Sequence, residues 1–332
     1  MATRDTVQPH LPKAELHCHL LGVIHPALLN DIRRDGGSVL VEPSTLAAAY
    51  PIRDIGSFTR WVEILRPYQA GAMDALRPVL AAHISNLIAQ GVVYSEIMIS
   101  PTMFPRELPA LVEAFHGWRE WANHLERGRI QIEFIMVVPR TLDPGILVRD
   151  TDTFLELHRE GLIVGVALVG PENGQSIRRF ASSFSRWRDA GLGIEIHAGE
   201  HCGPESIRDA LQYGRPNRLG HGLSAVDDPA LLDELRDANV HVEFCLTSNL
   251  RTGALPGIEQ HPAGRARALG MNFSLSTDNP GAFECSLTSE FQLAMEALAF
   301  QPDDFNTVFR NSLSARFQPK LRYLTSPTRS GT

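Results

Sequence analysis

Glu15-Leu16-His17-Cys18-His19-Leu20 alternates polar and apolar side chains and halts at Gly22, the pattern of a short β-strand. Side chains two apart on a strand leave the same face, so His17 and His19 stand side by side as a two-toothed metal claw fixed by backbone geometry. A pair of histidines on a solvated strand face would show the same spacing. What the rest of the chain supplies decides between the two readings.

Outward from this strand, residues 22–91 are long for an ordinary strand-to-helix unit, and part of the segment is expected to be a helical insertion that covers something. Its clearest helix runs from Asp74 to Gln90, with Leu76, Val79, Leu80, Ile84, Leu87 and Ile88 on one stripe, Asp74 as N-cap and Gly91 as the stop. Phe58 and Trp61, three apart on a helical pattern, suit an apolar lid over a site or a piece of core. Beyond Gly91, strands are expected at 92–99, 130–138, 163–169, 192–197, 218–220, 240–246 and 271–276. Helical patterns separate them at 107–126, 153–159, 176–190, 206–213, 229–237 and 263–269, and helices at 289–300 and 305–315 close the chain. Eight strands in β-α alternation predict an α/β fold, a (β/α)₈ TIM barrel with a helical insertion after strand 1. A doubly wound sheet is the rival, but no Gly-x-Gly-x-x-Gly follows the first strand. The 332 residues read as one domain, with 22–91 holding the lid and 317–332 a poorly ordered tail.

The totals set the class. With 43% hydrophobic and 21% charged residues the chain can build a sizeable core, and a net charge of -7 argues against a nucleic-acid or anionic-membrane binder. Four scattered cysteines without a Cys-x-x-Cys pair suggest neither a disulfide scaffold nor a zinc ribbon. No apolar leader precedes Lys13 and no run has the length of a membrane span, so a cytoplasmic setting is expected. Oligomeric state has no signature in the chain.

In a parallel barrel the chemistry collects at the C-terminal ends of the strands. His17 and His19 end the first strand, Gly170 the fourth and His197-Ala198-Gly199-Glu200 the fifth. His221 follows the sixth, Thr247-Ser248-Asn249 the seventh and Asp278-Asn279 the eighth. His17, His19, His197 and Asp278 therefore offer three imidazoles and a carboxylate to one ion, a donor set suited to catalytic zinc, which lowers the pKa of bound water toward ~7. Glu200 is placed to give a proton to the substrate, and His221 to orient the water and relay its proton. Lysine occurs only at Lys13 and Lys320, so the carboxylated lysine that bridges two metals in other barrel hydrolases has no candidate, and a single zinc is expected. The other nine histidines, among them His201 and His261, read as core or surface residues.

These motifs resemble the adenosine deaminase family of zinc aminohydrolases: Pro12 through Leu20, Gly170-Pro171-Glu172, His197-Ala198-Gly199-Glu200, Arg218-Leu219-Gly220-His221-Gly222, Ser248-Asn249 and Ser276-Thr277-Asp278. The resemblance runs through most of the chain. It implies a barrel with one zinc on His17, His19, His197 and Asp278, and Asp278 also accepts a hydrogen bond from the water. Glu200 would protonate purine N1, His221 would act beside the water, and the backbone of Gly170 would read N3. Two positions depart from the family pattern. Leu21 stands where many members carry an acidic or amide residue for the ribose 5′-hydroxyl. Asn279 stands where a second aspartate often serves N7, a role its amide can fill as a donor without a raised pKa. The expectation is hydrolytic deamination of a small-molecule 6-aminopurine, first adenosine or 2′-deoxyadenosine. Leu21 keeps open adenine, a 5′-modified nucleoside such as methylthioadenosine, or aminodeoxyfutalosine. A non-catalytic binding protein on the same fold is a more distant reading.

Overall fold

The computed structural model describes residues 11–322. Strand β1 (Lys13–His19) leads into α1 (Pro26–Arg34), α2 (Pro43–Ala47), α3 (Ile55–Ile64) and α4 (Met73–Ala89), followed by β2 (Val92–Ile99). Alternation then continues through α5 (Leu108–Glu126), β3 (Gln131–Pro139), α6 (Pro144–Arg159), β4 (Gly165–Val169), α7 (Ala181–Asp189), β5 (Gly193–Ala198), α8 (Pro204–Asp209) and β6 (Arg218–His221). Next come α9 (Pro229–Asp237), β7 (His241–Phe244), α10 (Leu246–Arg251), α11 (Ala263–Ala268), β8 (Phe273–Leu275), α12 (Pro280–Phe283), α13 (Leu287–Leu298) and α14 (Pro302–Ala315).

The strands pair in sequence order, each parallel to the next. The ring is drawn together at Asp278, whose N–H donates to the carbonyl of His17 (2.9 Å) and whose carbonyl accepts from His19 N–H (2.8 Å). The fold is the (β/α)₈ barrel expected, and its closing seam lies among the expected metal donors. Period-two alternation sorts the strand residues. Ile132, Phe134, Met136 and Val138 face the helices in the main core, while Ile135, Met98 and Ala167 form a separate buried cluster.

Several boundaries differ from the expectations. The strand expected through Leu246 stops at Phe244, and Leu246 opens α10. Helix α6 starts nine residues earlier than expected because Asp143 caps it, accepting from Gly145 N–H and Ile146 N–H. Asp74 lies in the first turn of α4, whose N-cap is Ala72, and Gly91 ends that helix with φ +75°. The largest correction concerns the tail. Residues 317–322 pack under the barrel, with Phe317 N–H on Glu96 Oε1 (2.7 Å) and Arg322 N–H on Gln131 Oε1 (2.7 Å). A Cβ at Gly165 or Gly193 would stand 2.5 or 2.1 Å from the Phe317 ring, so two strand-start glycines make its socket. The remainder of the expected tail, like residues 1–10, lies outside the described residues.

In the insertion, a capping box of Asp54 with Ser57 starts α3. That helix stacks Phe58 on Trp61 (centroids 6.0 Å) and sets Phe58 5.2 Å from Phe283 of α12, beside the seam. Among the described residues no helix is long and apolar enough to cross a membrane.

Candidate metal and acid–base site

Strand ends from four parts of the chain meet at the mouth. His17 is fully buried, and its ring centroid lies 5.7 Å from His19, 4.6 Å from His197 and 5.0 Å from His221. Asp278 Oδ1 stands 3.3 Å from His19 Nε2 and 3.6 Å from His17 Nε2. His17 Nε2 and His197 Nε2 are buried without a hydrogen-bond partner, although buried ring nitrogens normally find one. Three imidazole nitrogens within 4.8 Å of one another, with a carboxylate beside them, fit a divalent metal of nitrogen–oxygen preference.

The electrostatics suit ligation. Burial lowers His19 to about 4 and, with its imidazole neighbours, holds His197 well below its ordinary value, so both are neutral and free to ligate. Burial would also lower His17, but the carboxylates of Glu195, Asp278 and Glu243 raise it well above normal, which registers a local surplus of negative charge. Burial pushes the Asp278 carboxyl up, yet the His17 hydrogen bond and the surrounding imidazoles outweigh it and keep the group ionised.

Glu200 and His221 stand beside this cluster. Burial, then the charges of Asp278 and Glu172, raise Glu200 to about 8, so it carries its proton at neutral pH. Its Oε2 stands 3.7 Å from His221 Nε2. A chain of bonds sets the His221 tautomer. Ala263 N–H donates to His261 Nδ1, so His261 Nε2–H donates to Asn249 Oδ1 and the Asn249 amide donates to His221 Nδ1. The His221 proton therefore sits on Nε2, facing the site. His221 and Asp278 both hold left-handed backbone, φ +66° and +62°, a strain that concentrates where function over-determines geometry.

Sequence reasoning missed most of the supporting groups. Glu172 accepts from the backbone N–H of Gly199 (2.7 Å), Glu200 (2.9 Å) and His201 (3.0 Å) and from the Ser206 hydroxyl, clamping the loop that carries Glu200. Arg140 reaches the carbonyl of His197. His17 Nδ1–H donates to Glu243 Oε2 (2.9 Å), which turns Nε2 toward Asp278, and Ser248 donates to Asp278 Oδ2 (2.6 Å). His261, read from sequence as a core residue, orients His221 through Asn249. Acids inside otherwise apolar strands were the available signal: Glu96, Glu195 and Glu243 each interrupt a buried run.

The expected substrate contacts are distributed as follows. Leu21 is half-buried just past β1, and Gly22 beside it is pressed on Asn279, where a Cβ would come within 2.6 Å of that residue's Cα. The Asn279 amide donates to Asp278 Oδ1 (2.6 Å). Gly170 is exposed at the end of β4 with φ +99°. Phe58 is half-buried, whereas Trp61 is 1% exposed and donates to the Tyr50 hydroxyl (3.2 Å), so it backs the cover from within the core.

A family model described as adenosine deaminase matches residues 12–324. An adenine deaminase of Sinorhizobium medicae is 33% identical over 314 residues, covering 93% of this chain and 94% of the relative. An adenosine deaminase of Erwinia tasmaniensis is 32% identical over 323 residues, covering 94% and 95%. The crystal structure of an adenine deaminase from Arthrobacter aurescens superposes with a TM-score of 0.79 at 25% identity, covering 92% of this chain and 94% of that one.

Proposed function

The chain belongs to the adenosine deaminase family and deaminates adenine- or adenosine-type substrates; within that class, we propose that its substrate is the free base adenine, hydrolysed to hypoxanthine and ammonia. Leu21 carries this reading. An apolar, half-buried side chain follows the His-x-His-Leu run, at the position from which an acid or amide would hold a ribose 5′-hydroxyl. A hydroxyl set against that side chain would lose a hydrogen bond to water without replacement. The Sinorhizobium medicae and Arthrobacter aurescens names support the base, while the Erwinia tasmaniensis name supports the nucleoside expected first from the sequence.

His17, His19, His197 and Asp278 would hold one zinc ion, which when bound supplies Lewis acidity and brings the pKa of water toward ~7. The protein's own groups do the rest. Glu200, protonated at neutral pH, gives its proton to ring N1, which drains electron density from C6 and opens it to attack by water. His221 holds its proton at Nε2 and donates to the attacking oxygen, while Asp278 accepts a hydrogen from it. The water proton accepted by Asp278 passes to the amino nitrogen as the C6–N bond breaks, so ammonia leaves, and the remaining hydroxyl proton returns to Glu200 as the C6 carbonyl forms. The Asn279 amide donates to N7 and the Gly170 N–H reads N3, so three ring nitrogens are read by donors. We take the chain as a single functional unit in which the helices of residues 22–91 cover the mouth, with Phe58 as the apolar wall.

Ammonia release from adenine, adenosine, 2′-deoxyadenosine and 5′-methylthioadenosine tests the assignment. Adenine is expected to have the highest kcat/KM, and a nucleoside ahead of adenine overturns it. Leu21→Asp should raise the use of adenosine relative to its 5′-deoxy analogue; an unchanged ratio removes Leu21 from specificity.

A further inference from the structure

Gly170 after β4 and Glu200 after β5 are the groups assigned above to N3 and N1 of the purine, and one side chain joins their loops. Glu172, two residues beyond Gly170, is half-buried and turns its carboxylate onto the backbone of the β5 loop. Its Oε1 accepts from the N–H of Glu200 (2.9 Å) and of His201 (3.0 Å). Its Oε2 accepts from the N–H of Gly199 (2.7 Å) and from the Ser206 hydroxyl. Three successive N–H groups turned onto one anion make a concave backbone nest. Gly199 permits the turn: it holds φ +70°, and a Cβ there would stand 2.6 Å from both Ile207 Cδ1 and Ser224 Oγ.

The donors admit only a carboxylate. Each oxygen of Glu172 takes two of them, so an amide in its place would set an NH₂ group against two donors. The remainder of the β4 loop is held independently. Asp209 of α8 accepts from Ile177 N–H (2.7 Å) and from the Ser176 hydroxyl (3.0 Å). Arg140 donates to the carbonyls of Gln175 (3.2 Å) and His197. Loss of the Glu172 bonds would therefore leave both loops anchored and release them from each other where Glu200 departs.

We infer that Glu172 is a positioning residue that sets the distance between the N3 donor and the N1 acid. This rests on the purine orientation proposed above. N1 and N3 belong to one rigid ring, so both are met at once only if the two loops keep a fixed separation. With Glu172 in place, the contact at N3 delivers N1 to Glu200; without it, the two contacts compete.

Steady-state kinetics of the full-length, zinc-loaded enzyme on adenine and on 3-deazaadenine, which carries C–H in place of N3, test this. Wild type should prefer adenine by roughly 10-fold in kcat/KM. Glu172→Gln should lower kcat on adenine ~10–100-fold with zinc content at the wild-type level, and its preference for adenine should shrink several-fold. The intrinsic reactivities of the two rings cancel in that comparison. Ser206→Ala removes a single donor from the carboxylate and should move both quantities the same way by less, which keeps the test available if Glu172→Gln folds poorly. An unchanged kcat, or a lower kcat with the preference intact in both variants, overturns the inference and leaves Glu172 a structural clamp. Equal kcat/KM on the two bases in wild type removes Gly170 from N3, and the coupling with it. If adenosine proves the better substrate, adenosine and 3-deazaadenosine give the same comparison, so failure of the base assignment is read separately.

Discussion

The two ends of the barrel interior handle buried charge in opposite ways. At the floor, Arg218 sits between Glu96 and Glu243 with its guanidinium 3.6 Å from the Phe317 ring, and Arg119 and Arg322 face Glu126 and Glu133. At the mouth, His17 Nε2 and His197 Nε2 are buried without a hydrogen-bond partner and face one another across a cluster of imidazoles. A floor that answers charge with charge needs nothing from outside. A mouth that leaves imidazole nitrogens unanswered is where the proposed ion and substrate would bind. Glu243 joins the two, holding Arg218 on one side and His17 on the other.

Substitutions at each end should therefore separate stability from chemistry. The largest effect is expected at the mouth: Glu200→Gln should lower kcat/KM by ~10²–10⁴-fold while the metal content of the purified protein stays at the wild-type level. A rate within error of wild type would remove Glu200 as the acid and break the comparison at its functional end. At the floor, Phe317→Ala should empty the glycine socket and cost about 3 kcal/mol of stability, read as a lower Tm, with kcat unchanged. A loss of kcat without a loss of Tm would mean that the floor acts in the reaction.

The smallest effect is a pH dependence beside the mouth, behind the start of α10. Glu290 on α13 is fully buried and raised to about 7, chiefly by burial, while it accepts from Thr247 N–H at the start of α10. Its folded value lies above its unfolded one. The protonated group therefore contributes stability that is fully present below the ordinary carboxylate range and lost as pH rises through about 7. Glu290→Gln has no proton to lose. Its Tm relative to wild type should climb across that window, by the equivalent of about 2 kcal/mol; parallel pH profiles would show Glu290 ionised throughout.

Much of the cluster at the mouth was legible because it obeys local rules. His17 and His19 announce themselves by a two-residue period, and His197 and Asp278 by their places at strand ends. The supporting shell was not. Glu243 and Arg218 are 25 residues apart in sequence, and each looks like an isolated misfit in an apolar strand until the register of adjacent strands brings them together. The His261–Asn249–His221 chain was hidden for the same reason, since a capping histidine after α10 gives no local sign of fixing a proton on β6. Segment 317–322 was misread because Phe317 and Arg322 have no periodic neighbours; their order comes from glycines and acids more than a hundred residues away.

The sequence by itself determined the alternation of strand and helix, the donor types and their places at strand ends, because these follow from side-chain periodicity and backbone preference within a few residues. Only the tertiary structure decided which acids are paired and which are left facing the imidazoles, which nitrogen of His221 holds the proton, and that the barrel closes at Asp278. Those outcomes depend on which strands become neighbours, and burial turns each such adjacency into a fixed charge or a fixed hydrogen bond.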